Sequence, residues 1–255
     1  MAAANVASTP VIGIDIGGTG IKGAPVDLGA GDLAAERVRL VTPAPATPDA
    51  VAAVVVQVLD KIGADGPVGL TLPAVVTNGV VRTAANIDPS WIGVNAIDLF
   101  GKATGRRVAV MNDADAAGVA EVQYGAGVGH TGVVALVTLG TGIGSALFIN
   151  GQLVPNTELG HLHLHHGDAE DWAADSVRES DDLSWKEYAH RLQQYLELMH
   201  SLLWPELIII GGGISKKADK FLPHIEVDTE VVAAHMQNEA GIIGAAMCAA
   251  QAPTK

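Results

Sequence analysis

A chain of 255 residues lies between one large domain and two small ones, and 49% hydrophobic against 17% charged residues is the balance of a packed globular protein, not a disordered one. With 15 Lys and Arg against 28 Asp and Glu the net charge is −13, which disfavours binding to nucleic acid or an anionic membrane and requires any polyanionic partner to meet a local cationic patch. One cysteine, Cys248, excludes an intrachain disulfide framework and a multi-cysteine zinc cage, and fits a reducing cytoplasm.

The opening stretch to Pro10 has no positive charge and no long apolar run, so it does not read as a signal peptide, and no apolar run approaches the roughly 20 residues of a membrane helix. Val11–Ile16 is short and β-branched and runs into Gly17-Gly18-Thr19-Gly20; Ile21–Val26 then resumes an extended pattern in which Pro25 bars a helix. Asp49–Ile62 predicts a helix with Thr47 as N-cap, Pro48 at its first position and Gly63 closing it. Pro67–Leu72 and Val80–Thr83 read as strands, Val94–Thr104 as a short helical region and Arg107–Met111 as a strand. Asn112 and Asp113 stand at that strand's end, ahead of the alanine-rich helix Ala114–Tyr124 that Gly125 ends.

From His130 the plan repeats. A strand at Val133–Leu139 meets Gly140-Thr141-Gly142-Ile143-Gly144, followed by a strand Ser145–Ile149 and the hairpin signal Asn150-Gly151. Ser184-Trp185-Lys186-Glu187 is a capping box opening a long helix that Pro205 stops; Leu207–Ile210 is a buried strand feeding Gly211-Gly212-Gly213, and a last helix follows Gly241. The alternation and the duplicated strand, glycine turn, strand beginning predict two related α/β lobes facing a cleft lined by glycine turns and strand ends.

Gly18-Thr19-Gly20-Ile21-Lys22-Gly23 fits the spacing G-x-G-x-x-G, but that fingerprint binds a dinucleotide only where it opens a helix, and here a strand follows. A Walker A element is absent as well. What remains is a hairpin turn whose bare backbone amides and Thr19 hydroxyl can approach phosphate oxygens. Lys22 adds charge, and Asp15 is positioned to hold magnesium or its waters. Taken alone it reads equally as an ordinary chain reversal; the second Gly-Thr-Gly turn favours a clamp on a phosphate chain. Asp113 is the candidate general base, with helix capping as the alternative and Asp115 as a weaker competitor. Glu158 and His161 flank Gly160 in an arrangement suited to gripping vicinal sugar hydroxyls. His163, His165 and His166 fit a half-exposed histidine strand better than a zinc site, and Asn86 supplies a loop amide near Pro89 and Trp91.

Ile14-Asp15-Ile16-Gly17-Gly18-Thr19, Asn112-Asp113-Ala114-Asp115, Leu139-Gly140-Thr141-Gly142-Ile143-Gly144, Glu158-Leu159-Gly160-His161 and Gly211-Gly212-Gly213-Ile214-Ser215, in this order, resemble the ROK sugar-kinase family over nearly the whole chain. That family lies within the actin/hexokinase/heat-shock-chaperone ATPase superfamily. The resemblance implies two ribonuclease-H-like α/β lobes of the actin-like ATPase fold: a small lobe of residues 1–112, completed by a C-terminal helix at 240–255, and a larger lobe of residues 113–239. It also implies phosphoryl transfer to the 6-hydroxyl of glucose. Asp113 would be the base, and Asn86, Asn112, Asp113, Glu158 and His161 would hold the sugar. Asp15, Gly17, Gly18, Thr19, Gly20, Lys22, Gly140, Thr141, Gly142, Gly212, Gly213, Lys216 and Lys217 would meet the phosphate donor, with Mg2+ at Asp15, directly or through water. Many members carry a cysteine-rich zinc motif where this chain has Gly167-Asp168-Ala169-Glu170-Asp171-Trp172, so no structural zinc is expected. That departure and the Gly213-Ile214-Ser215-Lys216-Lys217-Ala218-Asp219 run resemble the branch that uses inorganic polyphosphate. A polyphosphate track would draw on Lys22, Arg82, Arg106, Arg107, Lys216 and Lys217, or on some of them. The alternatives are a kinase using ATP alone, a sugar-sensing repressor and a non-catalytic sugar-binding scaffold. The resemblance further implies a cytoplasmic homodimer with no nucleic-acid or membrane partner.

Overall fold

The computed structural model describes residues 10–85, 87–164 and 167–252. It divides into two compact units, Met1–Asn112 with Gly241–Lys255, and Asp113–Ala240. They are of almost equal length, not small and large.

In the first unit the strands Val11–Ile16 and Ile21–Asp27 form an antiparallel hairpin. Val68–Leu72 and then Val108–Asn112 add in parallel on the other side of the first strand, while Asp32–Leu33 and Val38–Leu40 pair with the second. Ile12, Ile14 and Ile16 bury their side chains with Val51, Val55 and Val58 of the helix Pro48–Ile62, and with Phe100 and Trp91. Alternate residues turn the other way, and there two glycines do the packing. Gly13 and Gly69 are register partners, and a Cβ at either would run into the backbone carbonyl of Ile242 or of Ala245 in the helix Ala240–Gln251. The C-terminal helix therefore seats directly on the sheet backbone.

The second unit repeats this strand order. Val133–Leu139 and Ile143–Ile149 form the hairpin, Gln152–Val154 extends it, and Leu207–Gly211 and Glu230–Ala233 add in parallel. Its central strands are apolar on both faces because both are covered. Ala135, Val137, Leu139, Ile208 and Ile210 meet Tyr188, Leu192, Tyr195 and Leu196 of the helix Trp185–Leu203, whereas Val134, Leu136, Leu207 and Ile209 share the other face with Phe148. There the helix Asp113–Tyr124 comes close at Gly118, where a Cβ would lie 2.7 Å from the Phe148 ring.

Several element boundaries move. The strand expected at Val80–Thr83 is a two-residue ladder, Val80–Val81 against Val76–Thr77, closed by Asn78 and Gly79, both at positive φ; the Asn-Gly turn signal lay there unread. The region Val94–Thr104 is helical only from Ala96, because Asn95 caps it by accepting from the Asp98 amide. The second hairpin strand begins at Ile143, not Ser145. Thr47 occupies the N-cap position with no side-chain capping bond, while Pro48 and the left-handed Gly63 behave as expected. The Ser184–Glu187 capping box forms in full.

Candidate functional site

In the first unit, the carboxyl ends of the parallel strands Val11–Ile16, Val68–Leu72 and Val108–Asn112 lie along one sheet edge, the place where α/β sheets bind ligands. Asp15 is fixed there from two sides. Its Oδ1 accepts from the Thr71 hydroxyl at 2.9 Å, and the same Thr71 oxygen accepts from the Ile16 amide at 3.1 Å. Its Oδ2 is 3.3 Å from Lys22 Nζ, because the hairpin register sets Lys22 opposite Asp15. A Cβ at Gly241 would come within 3.1 Å of Asp15 Oδ1, so glycine lets the C-terminal helix start beside the carboxylate.

The turn Gly17-Gly18-Thr19-Gly20 is closed by the Gly17 amide donating to the Gly20 carbonyl at 3.1 Å. The Thr42 hydroxyl donates to the Gly17 carbonyl at 2.5 Å, and the exposed Arg39 guanidinium donates to the Thr19 carbonyl at 3.2 Å. None of its residues has positive φ. A Cβ on Gly18 would meet nothing within 4 Å, so the missing side chain leaves open surface above the turn and serves no backbone need. Thr71, Thr42 and Arg39 escaped the sequence reading. Only Thr71 carried a signal, as the lone polar residue of a buried strand.

Asn112 ends the last strand of this edge, buried, with Nδ2 donating to the Ala74 carbonyl at 3.2 Å. Arg106 and Arg107 precede that strand, so they sit at the opposite end of the sheet, about 16 Å away at roughly 3.3 Å per residue. There Arg106 serves the Ala64 carbonyl and Asp65, and Arg107 the Ala252 carbonyl. Their expected place in a phosphate track is therefore corrected. Arg82 donates to the Thr77 hydroxyl at 2.6 Å, and Asn86 lies outside the described residues.

In the second unit Asp113 is the first residue of its helix and not the residue before it; half-buried, its Oδ1 accepts from the Ala114 amide at 2.9 Å. Asp115, one helical position pair further on, is buried and accepts from the Asn156 amide at 2.8 Å; burial pushes its carboxyl up to about 6. The stretch Leu159–His161 packs on the second hairpin, with the Leu159 amide donating to Ser145 Oγ at 2.9 Å and Gly160 pressed on the Ile143 carbonyl. His161 Nδ1 lies 2.7 Å from Asp168 Oδ2 and 3.7 Å from Glu170 Oε1, and its Nε2 lies 3.9 Å from Glu158 Oε2. The Asp168 hydrogen bond raises the imidazole above its ordinary value, and burial raises the Glu158 carboxyl. Glu170 also accepts from the Ile143 amide at 3.2 Å, tying this cluster to the exit of the second glycine turn. Glu170 and Asp168 were not singled out, because only the short ladder His163–Leu164 against Gly167–Asp168 folds them back onto His161.

His161, Asp168 and Glu170 offer ligand atoms within 4.8 Å of one another, and Asp168 holds His161 Nδ1 in a hydrogen bond within this cluster. His163 is exposed on its strand, and His165 and His166 lie outside the described residues.

The second glycine turn is closed by the Gly140 amide donating to the Gly142 carbonyl at 3.0 Å. Ser176 braces it, its amide on the Gly140 carbonyl and its hydroxyl on the Thr141 carbonyl at 2.7 Å. A Cβ on Gly140, as on Gly18, would meet open space. Gly212 does need to be glycine, since its φ is 81° and a Cβ would run into the Leu139 backbone. The Gly212-Gly213 turn therefore abuts the Gly140 turn, and from it two short helical turns spanning Gly213–Lys220, kinked at Lys217, carry Lys216 and Lys217, both exposed.

Two sheets of one strand order, each with an open glycine turn between its first two strands, give the chain the α/β architecture of the actin-like ATPase fold, in its sugar-kinase form. The chain belongs to the ROK family, whose model matches residues 11–173. It is 53% identical over 236 residues to the polyphosphate glucokinase of Mycobacterium tuberculosis, covering 92% of this chain and 89% of that one. Among solved structures it is similar to the inorganic polyphosphate/ATP-glucomannokinase from Arthrobacter sp. strain KM, with a TM-score of 0.92 and 51% identity over 95% of this chain and 99% of that chain. It is also similar to a ROK family glucokinase from Streptomyces griseus in complex with glucose and AMPPNP, with a TM-score of 0.82 and 25% identity over 95% of this chain and all of that one.

Proposed function

We propose that this chain is a polyphosphate glucokinase, moving a phosphoryl group from inorganic polyphosphate or ATP to the 6-hydroxyl of glucose. The observation that carries this reading is the 53% identity, over 92% of the chain, to a protein of that name. Asp113 accepts the proton of the attacking hydroxyl, from a helix start where its Oδ1 is already oriented by the Ala114 amide. Asn112, Glu158 and His161, with Asn86, hold the sugar ring. Glu170, bound to the same imidazole cluster, joins them. The Gly17–Gly20 and Gly140–Gly142 turns offer bare backbone to phosphate oxygens, and the exposed Lys216 and Lys217 add charge. The transition state of such a transfer is loose, so positioning and charge stabilisation supply most of the rate.

Asp15 suits magnesium held through water: one hard-oxygen carboxylate, part-exposed, oriented by Thr71 and with Lys22 at its other oxygen. Bound there, the ion neutralises charge on the phosphates. No helix among the described residues is long and apolar enough to cross a membrane, and we take the enzyme to be a cytoplasmic homodimer. An activity matrix of ATP and polyphosphate against glucose, mannose and glucosamine tests the reading, with light scattering for the dimer. Turnover with ATP alone would reduce it to a glucokinase, and sugar binding without turnover would remove the enzyme.

A further inference from the structure

Glu158, whose carboxylate lies 3.9 Å from His161 Nε2, does not sit on a regular element. Its backbone is at φ −116° and ψ 56°, between the helical and extended regions, so no ladder or helical repeat sets the direction of its side chain. The direction is set from the second hairpin strand, Ile143–Ile149, by one buried side chain. Ser145 Oγ donates to the Thr157 carbonyl at 2.7 Å and accepts from the Leu159 amide at 2.9 Å. Those two groups belong to the peptides immediately before and after Glu158. A hydroxyl has one proton to give and lone pairs to accept with, and here both capacities are spent on the backbone that carries one carboxylate. The Thr157 hydroxyl returns the contact, donating to the Ser145 carbonyl at 3.2 Å.

The ends of the segment are fastened separately. The Asn156 amide is held by Asp115 at 2.8 Å, and Gly160 lies against the Ile143 carbonyl. Without the Ser145 hydroxyl the Thr157 carbonyl and the Leu159 amide lose their partner, and the peptides flanking Glu158 are free to rotate while both ends stay in place. The carboxylate, at the tip of a long side chain, then changes its aim. Misplacing a substrate-positioning group by about 1 Å can cost about a hundredfold. The Gly140–Gly142 turn at the start of the same hairpin is braced by its own closing bond and by Ser176, not by Ser145.

We infer that Ser145 is a positioning residue of the sugar site: it acts through Glu158, aiming that carboxylate at the sugar hydroxyls, and its loss weakens the sugar while sparing the phosphate donor. This rests on the sugar-binding role proposed above for Glu158.

The test is a double-mutant cycle on the full chain, with Ser145→Ala, Glu158→Ala and the two combined. Thr229→Val serves as control, since it also loses a buried hydroxyl of the second unit, one that lies 2.7 Å from His200 Nδ1. Glucose Kd is measured by calorimetry without donor, and KM for glucose and for polyphosphate by turnover. Ser145→Ala is expected to raise Kd and KM for glucose about tenfold, the scale of one or two neutral hydrogen bonds, and to leave KM for polyphosphate within about twofold. In the Glu158→Ala background the same change adds less than about twofold, because the group it aims is gone. Ser145→Cys, which keeps the shape and weakens both bonds, takes the place of Ser145→Ala if that chain does not fold. An unchanged glucose Kd, an equal loss in Thr229→Val, or losses that multiply in the double variant overturn the assignment. Glu158→Ala binding glucose as the unaltered chain does overturns instead the sugar role given to Glu158.

Discussion

Gly13 and Gly69 stand opposite one another in adjacent parallel strands, and both present bare backbone to the carbonyls of Ile242 and Ala245. A helix can lie this close to a sheet only where both strands lack a side chain at the crossing. The pair explains how the helix Ala240–Gln251, rich in Ala, Gly and Ile, packs within the first unit.

Gly69→Ala forces the C-terminal helix off its seat. Overpacking of this kind costs about 1–3 kcal/mol, and we expect Tm to fall by about 2–4 °C for each kcal/mol. Calorimetry checks it, and an unshifted Tm would show that the helix is free to move away.

Asp113→Asn keeps size and an oxygen for the Ala114 amide and removes the proposed base. A general base contributes about 10²–10⁴-fold, so kcat with either donor should fall by at least about two decades while the far-UV spectrum and Tm hold. A folded variant of full activity would take the role away from Asp113.

Asp115 sets a pH dependence of stability. Burial raises its carboxyl from the ordinary 3.8 to about 6, so between those values the folded protein holds a proton that the unfolded chain has released. Stability from this group is therefore lost as pH rises through that window, and the loss is complete above about 6, amounting to about 3 kcal/mol. Asp115→Asn still offers an oxygen to the Asn156 amide. Urea unfolding from pH 4.5 to 7.5 should show its advantage over the unaltered chain growing with pH and then levelling; parallel curves would contradict this.

Glu121 is wholly buried in the second unit. Its carboxylate accepts from the amides of Ala126, His235 and Met236, the last at 2.7 Å, and so fastens the end of the helix Asp113–Tyr124 to a loop more than 100 positions away. Glu121→Gln puts an NH2 group against these donors. We expect a loss of about 2 kcal/mol or more by denaturant titration, with KM values unmoved if the enzyme is assayed below its midpoint.

Much of the candidate site was legible because its parts are local. Gly-Thr-Gly after a β-branched run, Asn-Asp before an alanine-rich helix and Ser-x-x-Glu at a helix start are short-range patterns whose chemistry follows from neighbours in sequence. Arg106 and Arg107 were misjudged for the complementary reason. Sequence shows a cation but not which end of a sheet it occupies, and parallel pairing put both at the end away from Gly17.

The amino-acid sequence alone determined the α/β class, the duplicated plan and the residue types able to handle phosphate and sugar, since periodicity and turn chemistry act over a few residues. Tertiary structure decided the partners: Thr71 beneath Asp15, and Asp168 and Glu170 around His161. Those pairings follow from strand register and helix packing, which join residues far apart in the chain and leave no mark at either one.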